Sequence, residues 1–319
     1  MTISLAHIQT LRDEFGDHLQ VNVSLNRYTA ARIGGKADVM ITAETLVELA
    51  KVTKSLWESG IPFRILGSGS NVLVSDAGVR QVIILNRAKK IIFNPQSLHP
   101  TVWAESGANF GALARQAATH GLSGLEWAAG IPGTVGGAVY GNAGAHGSDM
   151  SGTLVMANIL HLIQTNDVNQ HEILQEDWSV ERFEYAYRGS SIKRQPGQVV
   201  VLSAELKLSQ STPEAVQAKM NDYLAMRRSS QPAGASLGSI FTNPPGDYAG
   251  RLIEAAGLKG KKLGKVEISP MHGNFFINQE GATASDYEAL IRLVQKQVLS
   301  KFGISLELEI EILGNWTDR

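Results

Sequence analysis

The chain has 319 residues, of which 43% are hydrophobic and 18% charged, the composition of a globular protein with room for roughly two or three domains. Its 29 basic and 30 acidic residues give a formal net charge of -1 without a basic stripe, which argues against nucleic acid as a partner. It contains no cysteine, no apolar run long enough to cross a bilayer and no signal-peptide pattern, so we exclude disulfides and thiolate chemistry and expect a cytoplasmic protein with no membrane partner.

The first third of the sequence predicts a helix between short strands. Thr42 is a candidate N-cap for a helix that ends at Gly60, because apolar residues recur between them at helical spacing. Residues 63–66 predict a strand that leads into the small residues of 67–71, and residues 72–74 predict another strand. Loops at the ends of such elements often form ligand sites. The stretch 67–71 is therefore a candidate site.

The middle third adds further strands and one helix. Strands are predicted over residues 82–85, 101–104, 153–164 and 198–209. In the last of them apolar and polar residues alternate, so one face should be exposed to solvent. A helix begins near Phe110 and ends at Gly121. We place a domain boundary near residue 210.

The last third predicts three helices and a terminal strand. The helices begin near Pro213, Asp247 and Thr283, and the last of them ends at Gly303. The first has a stripe of residues for burial, namely Val216, Met220, Tyr223 and Leu224. Residues 304–312 alternate regularly and predict a strand with three acidic side chains on one face, Glu307, Glu309 and Glu311.

Two glycine-rich segments are the candidate ligand sites. The first, at 67–71, would by itself be read as a tight turn, and it lacks the glycine spacing of dinucleotide-binding and phosphate-binding loops. The second, at 130–147, has seven glycines, a density that disfavours regular helix or strand and is also compatible with a long flexible loop. Apolar residues interleaved with these glycines favour packing against something large and flat. Together the segments suit a cofactor with a diphosphate and an aromatic ring system.

Seven sequence blocks resemble one enzyme family in its own order. They are YTAARIGGKADV (28–39), ILGSGSNVLVSDAGV (65–79), GLEWAAGIPGTVGGAVYGNAGAHG (124–147), YAYRGS (185–190), GSIFTNP (238–244), AGRLIEAAGLKG (249–260) and LELEIEILG (306–314). Together they are similar to the UDP-N-acetylenolpyruvoylglucosamine reductase family, flavoproteins of peptidoglycan precursor synthesis and cell wall biogenesis. The third domain has no large insertion, so the chain resembles the shorter class of these enzymes.

The resemblance implies an α+β fold in three parts. Two FAD-binding subdomains of the p-cresol-methylhydroxylase type would cover residues 1–86, joined by a C-terminal strand at 304–319, and residues 87–210. A substrate-binding domain would cover residues 211–303. The implied reaction reduces UDP-N-acetylglucosamine enolpyruvate to UDP-N-acetylmuramate, with hydride passing from NADPH to FAD and then to the enolpyruvyl group. We expect a monomer.

The same resemblance assigns the cofactor site. It implies that FAD contacts Arg32, Gly34, Gly35, Gly67, Ser68, Gly69, Ser70, Asn71, Gly130, Pro132, Gly133, Gly136, Gly137 and Gly144. Some relatives with this flavin fold attach FAD through a histidine near the first loop, where this chain has Ser70 and Asn71. We therefore expect FAD to be bound without a covalent link.

Three residues are implied as catalytic: Arg188, Ser239 and Glu309. Hydride transfer to an enolpyruvyl group places charge on the carbon next to the carboxylate, so the site needs a cation or acid and a proton donor. By motif alone, Arg188 would be a surface arginine in a turn, Ser239 a turn or capping serine, and Glu309 one of three solvated carboxylates. The resemblance instead makes Arg188 the carboxylate ligand, Ser239 the proton donor and Glu309 the partner that stabilises the intermediate or relays the proton.

The implied substrate-binding residues are Tyr187, Arg228, Asn243 and Lys262. Without the resemblance, basic residues near Arg228 and Lys262 could equally stabilise a helix C-terminus. The pattern departs from the family at Thr242, where lysine is usual, and at Lys265, where a second glycine is common. The role of the block containing His272 and Asn274 is left open.

Two other functions are considered. One is a flavin oxidase or dehydrogenase of the same cofactor fold that acts on another hydroxylated substrate, and the other is a sugar-nucleotide binding protein with an inactive cofactor pocket. The joint presence of Arg188, Ser239 and Glu309 argues against both. No metal site is expected, because the histidines are scattered.

Overall fold

The computed structural model describes residues 3–164 and 171–316. It contains three units, each built on its own sheet, and it mixes helices with parallel and antiparallel strands. This confirms the predicted α+β class.

The first unit is a four-stranded sheet with two helices packed against it. Its elements are α1 (Leu5–Phe15), β1 (Leu19–Ser24), β2 (Lys36–Ala43), α2 (Leu46–Glu58), β3 (Phe63–Leu66), β4 (Val72–Val74) and β5 (Val79–Asn86). The strand order is β1-β2-β5-β3, with β1 antiparallel to β2 and the other pairs parallel. Val39 and Ile41 of β2 pack with the helices, whereas Met40 belongs to a separate core with Leu313. The alternation of β2 therefore buries both faces of the sheet.

The predicted N-cap of α2 is wrong by three residues. Thr42 lies inside β2 and pairs with Leu85 of β5, while the hydroxyl of Thr45 accepts a hydrogen bond from the Glu48 backbone N–H at 3.2 Å. Either threonine is a suitable cap chemically. Sheet pairing decides between them, since it keeps Thr42 extended.

The second unit is a five-stranded antiparallel sheet covered by helices. Its elements are β6 (Ile91–Asn94), β7 (Thr101–Glu105), α3 (Phe110–Thr119), β8 (Leu122–Ser123), α4 (Val135–Gly141), β9 (Gly144–Ala145), β10 (Ser148–Asp149), α5 (Met150–Thr153), β11 (Leu154–Gln164), β12 (His171–Ser179), β13 (Val199–Lys207), β14 (Ser209–Gln210) and α6 (Pro213–Ser230). The sheet order is β12-β11-β13-β7-β6. Val216 and Met220 of α6 are buried in this unit's core. By packing, α6 therefore belongs to the second unit, although the predicted boundary near residue 210 assigns it to the third.

The glycine-rich stretch 130–147 is more regular than its composition predicts. Residues Val135–Gly141 form the helix α4, with Thr134 as N-cap and Asn142 in the left-handed conformation at the C-cap. Val135, Ala138 and Val139 are buried in the second core. Tertiary packing thus compensates for the low helix propensity of glycine.

The third unit contains a small sheet and two helices. Its elements are α7 (Ala249–Ala255), β15 (Lys262–Leu263), β16 (Val266–Ile268), β17 (Phe276–Asn278) and α8 (Ala284–Phe302). The chain then returns to the first unit, where β18 (Glu311–Leu313) pairs with β4. The ends predicted for α8 are confirmed: Thr283 forms a capping box with Asp286, and Gly303 has a φ of 71° at the C-cap. The helix predicted to open at Asp247 begins at Ala249, because the backbone of Tyr248 is extended (φ -115°, ψ 127°) and makes it the N-cap. The Asp247 carboxylate accepts from the Tyr248 N–H and pairs with Arg251.

The predicted terminal strand over 304–312 is mostly wrong. Only Glu311–Leu313 forms a strand, which pairs in parallel with β4. Before it, Glu309 N donates to Ile240 O at 2.8 Å, and Thr242 N donates to Glu307 O at 2.9 Å. The chain therefore bonds to residues 240–242 up to Glu309 and to β4 from Glu311 onward. A single strand cannot cover residues 304–312, because the hydrogen-bonding partner changes within it. Residues 317–319 of the predicted segment 304–319 lie outside the described residues.

Within the described ranges, no helix combines the length and apolar character needed to cross a bilayer. No group of three or more histidine, aspartate or glutamate side chains in the same part of the chain is arranged to hold a metal ion.

Candidate functional site

Two adjoining cavities lie where the three units and the C-terminal segment meet. The first has a volume of about 250 Å³ and the second about 300 Å³. Both are lined by residues 65–67, Thr134 and Gly137, so they form one cleft. Strands β3 and β13 give the first cavity mainly apolar walls. The second cavity is bordered by the ends of several loops.

The two glycine-rich segments approach each other closely in this cleft. A Cβ atom on Gly67 would lie 2.7 Å from Thr134 Oγ1, so a larger residue would force the segments apart. Gly69 has a φ of 58°, and a Cβ atom there would overlap the backbone carbonyl oxygen of Tyr28. Small residues at 67–71 thus allow a sharp turn between two neighbouring backbones.

Most of the predicted FAD-binding residues line the cleft. They are Gly67, Ser68, Gly69, Ser70, Asn71, Pro132, Gly133, Gly136, Gly137 and Gly144. Ser68 Oγ is buried and has no hydrogen-bond partner within the described ranges, so a polar ligand atom would satisfy it. Asn71 Nδ2 donates to Glu309 O at 3.0 Å, so this amide holds the C-terminal segment. The joined cavities and the unpaired hydroxyl fit an elongated cofactor such as FAD.

The other four predicted cofactor residues do not line either cavity. Arg32 is exposed, and Gly34 and Gly35 pack against the backbone and side chains of residues 74–78. Gly130 lies under the side chain of Arg227, since a Cβ atom on it would be 2.5 Å from Arg227 Cδ. The geometry gives the three glycines a packing role around the cleft.

Arg188 and Glu309 form an ion pair in the second cavity. Arg188 Nε lies 2.8 Å from Glu309 Oε1, without the alignment of a hydrogen bond, and Arg188 Nη2 donates to Gly144 O at 3.1 Å. The Arg188 side chain is 25% exposed, so the alternative of a solvated surface arginine does not hold. Its loop is fixed on α4, because Tyr185 OH donates to Val139 O and Ser190 Oγ donates to Tyr140 O.

The three glutamates of the C-terminal segment have different environments. Glu307 is exposed, whereas the side chain of Glu309 is 19% exposed and that of Glu311 is 41% exposed. Burial raises the pKa of the Glu309 carboxyl, and the positive charges of Arg188 and Lys193 oppose this rise. A carboxyl whose pKa is raised by burial, beside a cation in a cleft, is a candidate for proton transfer. The alternative of three equivalent solvated carboxylates therefore fails.

Ser239 lines the same cavity beside Gly238 and Phe275. The buried Asn274 holds this segment on both sides of Phe241, since its Oδ1 accepts from Phe241 N at 2.9 Å and its Nδ2 donates to Phe241 O at 2.8 Å. This gives the block containing His272 and Asn274, whose role the sequence left open, a structural function.

The predicted substrate-binding residues lie outside the two cavities. Tyr187, Arg228, Asn243 and Lys262 are all exposed. Asn243 Oδ1 accepts from the N–H of Ala249 at the start of α7. Thr242 and Lys265, where the sequence departs from the family pattern, do not line the cleft either.

Three basic residues that line the cleft, Arg64, Lys193 and Arg227, are not among the substrate-binding residues assigned from the sequence. Arg227, rather than its neighbour Arg228, lines the second cavity, and burial lowers the pKa of its guanidinium. Arg227 follows Met220 and Tyr223 at helical spacing, so the periodicity of the buried stripe could have identified it. Lys193 also lines the cavity. Lys193 lies five residues after Arg188, and no helical or strand periodicity in the sequence identifies it.

The cleft carries a net positive charge. Four cationic and two anionic side chains line it, namely Arg64, Arg188, Lys193, Arg227, Glu309 and Glu311. Such a balance favours an anionic ligand, including a diphosphate or a carboxylate.

Two family models match the chain. Residues 37–162 match a model described as an FAD binding domain, and residues 231–313 match the C-terminal domain of UDP-N-acetylenolpyruvoylglucosamine reductase. The second cavity draws its lining from both matched regions.

Curated relatives and a solved structure match over most of their lengths. The UDP-N-acetylenolpyruvoylglucosamine reductase of Rubrobacter xylanophilus is 40% identical over 91% of this chain and 93% of its own. Reductase 2 of the same name from Bacillus cereus is 38% identical over 93% of each chain. The crystal structure of the Thermus caldophilus reductase superposes with a TM-score of 0.76 at 34% identity, over 92% of this chain and 99% of that one.

Proposed function

Because the chain belongs to the UDP-N-acetylenolpyruvoylglucosamine reductase family, we propose that it reduces UDP-N-acetylglucosamine enolpyruvate to UDP-N-acetylmuramate with NADPH. It is an FAD-dependent oxidoreductase of peptidoglycan synthesis. One observation carries the proposed chemistry: Arg188, Ser239 and Glu309 converge on one cavity beside both glycine-rich segments.

Each of the three side chains has a separate task in this proposal. Arg188 binds the substrate carboxylate and keeps its positive charge throughout. Ser239 donates its hydroxyl proton to the carbon that bears this carboxylate. Glu309 in its protonated form hydrogen-bonds to the developing negative charge or returns a proton to the Ser239 alkoxide. FAD, when bound, supplies the hydride that it accepts from NADPH. The glycine-rich loop at 67–71, with its unpaired Ser68 hydroxyl, would hold the FAD diphosphate without a covalent link.

The proposal is tested by visible spectroscopy of the purified protein. We expect a flavin spectrum that bleaches with NADPH and recovers anaerobically on addition of the enolpyruvyl UDP-sugar. Recovery only with oxygen would instead indicate an oxidase. A protein that takes up no added FAD would contradict the assignment of the glycine-rich segments.

Replacing Ser239 with alanine should slow the oxidative half-reaction and spare the reductive one. A missing general acid typically costs about 10²- to 10⁴-fold. Stopped-flow absorbance would follow flavin reduction by NADPH and reoxidation by the enolpyruvyl substrate separately. Ser229→Ala is the matched control, because Ser229 is an exposed serine of α6 that does not line the cleft. Equal reoxidation rates in the Ser239→Ala variant and the wild type would exclude Ser239 as donor.

We further propose that the enzyme acts in the cytoplasm as a monomer. Light scattering of the FAD-bound protein should then give a mass close to the 34.4 kDa of one chain. A mass twice as large would contradict the monomer.

A further inference from the structure

Two ion pairs join the same two segments across the cleft. Arg188 pairs with Glu309, and Lys193 Nζ lies 3.0 Å from Glu311 Oε1. Lys193 lines the second cavity and Glu311 the first. The second pair therefore spans the boundary between the two cavities.

Backbone bonds place residues 309–311 but leave their carboxylates to be oriented by charge. Glu309 N donates to Ile240 O, and Glu311 N donates to Asn71 O, both at 2.8 Å. These bonds fix the main chain, whereas the side-chain torsions of glutamate retain several staggered rotamers. The cations facing the segment thus decide where each carboxylate points.

The spacing of the two glutamates creates a competition for Arg188. Glu309 and Glu311 are separated by a single residue, and both carboxylates reach the region between residues 188 and 193. With Lys193 present, each carboxylate has its own cation. Without Lys193, the Glu311 carboxylate would lack its partner, and Arg188 of the same loop, with Arg64 of the first cavity, would remain in the cleft to balance it.

We propose that Lys193 is a positioning residue: it holds the Glu311 carboxylate away from Arg188 and so keeps Arg188 paired with Glu309. The inference rests on the proposed function, because the Arg188–Glu309 pair matters for catalysis only if these residues act on the substrate. Lys193 itself acts through the two glutamates.

The charged groups around Glu309 determine the sign of the expected effects. Arg188 and Lys193 from the loop act on it directly, and Arg227 from α6, Glu311 from its own segment and Arg64 from β3 line the same cleft. Glu307 is exposed outside the cleft, and residues 65–72 and 238–240 contain no acidic or basic side chain. Removing the positive charge of Lys193 raises the pKa of Glu309. Removing the negative charge of Glu311 lowers the pKa of Glu309, because a like charge is then absent and Lys193 no longer pairs with Glu311.

The direct test is a carboxyl ¹³C NMR titration of the FAD-bound protein labelled in glutamate, with the Glu309 signal assigned by its loss in Glu309→Gln. We expect Lys193→Met to raise the titration midpoint by about one pH unit and Glu311→Gln to lower it. The double variant should return close to the wild type, because the pair is then removed as a neutral unit. Lys89→Met is the control, since Lys89 is exposed and outside the cleft.

The pH profile of flavin reoxidation by the enolpyruvyl substrate gives the second readout. The limb due to Glu309 should move in the same direction as the NMR midpoint in each variant. If Lys193 served only to hold the loop and the C-terminal segment together, Lys193→Met, Glu311→Gln and the double variant would all lose thermal stability. The midpoint of the Glu309 titration would then not move. That result, with normal reoxidation in the wild type, would overturn the positioning role alone. Absence of reoxidation in the wild type would overturn the proposed function, and the role with it.

Discussion

Replacing Glu309 with glutamine is expected to leave FAD bound and reducible by NADPH while slowing reoxidation by the enolpyruvyl substrate about 10²- to 10⁴-fold. The amide has nearly the same shape as the carboxyl group, but it neither carries the negative charge opposite Arg188 nor transfers a proton. Burial and the neighbouring cations act on the pKa of Glu309 in opposite directions, and the substitution removes this ionisable carboxyl from the cavity. Anaerobic stopped-flow measurement of both half-reactions checks the expectation.

Glu307→Gln is the matched control for this experiment. It makes the same chemical change two residues earlier in the same segment, at a side chain that is exposed and outside the cleft. We expect this variant to reoxidise at the wild-type rate. Normal turnover by Glu309→Gln would remove Glu309 from the mechanism.

Replacing Gly69 with alanine is expected to impair FAD binding and stability together. The residue has a φ of 58°, and its Cβ would overlap the carbonyl oxygen of Tyr28 and lie 2.8 Å from Thr29 Cα, both backbone atoms. The backbone strain predicts a loss of about 1–3 kcal/mol in the free energy of unfolding. Displacement of the loop should weaken FAD binding at least about tenfold, since one factor of ten corresponds to only about 1.4 kcal/mol. Thermal unfolding and flavin fluorescence titration measure the two effects.

Two further variants separate the causes. Gly152→Ala is the control, because its φ is not in the left-handed region and its Cβ would meet only Asp149 Oδ1, at 3.6 Å. Gly69→Asn tolerates a positive φ better than alanine but keeps the Cβ. If steric overlap dominates, both Gly69 variants should lose FAD affinity to a similar degree. Wild-type affinity in Gly69→Ala would show that the loop does not depend on this close approach.

The sequence identified elements whose signals are local. Both ends of α8 were predicted correctly, because the capping box at Thr283 and the left-handed Gly303 involve atoms within a few residues of each other. The same rule failed for α2, where Thr42 and Thr45 are equally suitable caps. There, the pairing of Thr42 with Leu85, more than 40 residues away, made the choice.

The candidate site shows a similar division. The sequence identified Arg188, Ser239 and Glu309 only through their motifs, because each residue type by itself has an ordinary structural explanation. It chose Arg228 where the structure directs Arg227 into the cleft, and it contained no signal for Lys193. Tracing the buried stripe of α6 one turn further would have marked Arg227 as the residue that lines the cleft.

The sequence by itself thus determined the α+β class, the family and both ends of α8, and it located the two glycine-rich segments that line the cleft. Only the tertiary structure decided which of three similar glutamates is buried, which cation it faces and which glycines are needed for close backbone contact. The physical reason is the separation along the chain between the groups that interact. Capping and turn formation depend on hydrogen bonds between near neighbours in the chain, whereas desolvation and charge pairing depend on groups such as Arg188 and Glu309, which only folding brings to 2.8 Å.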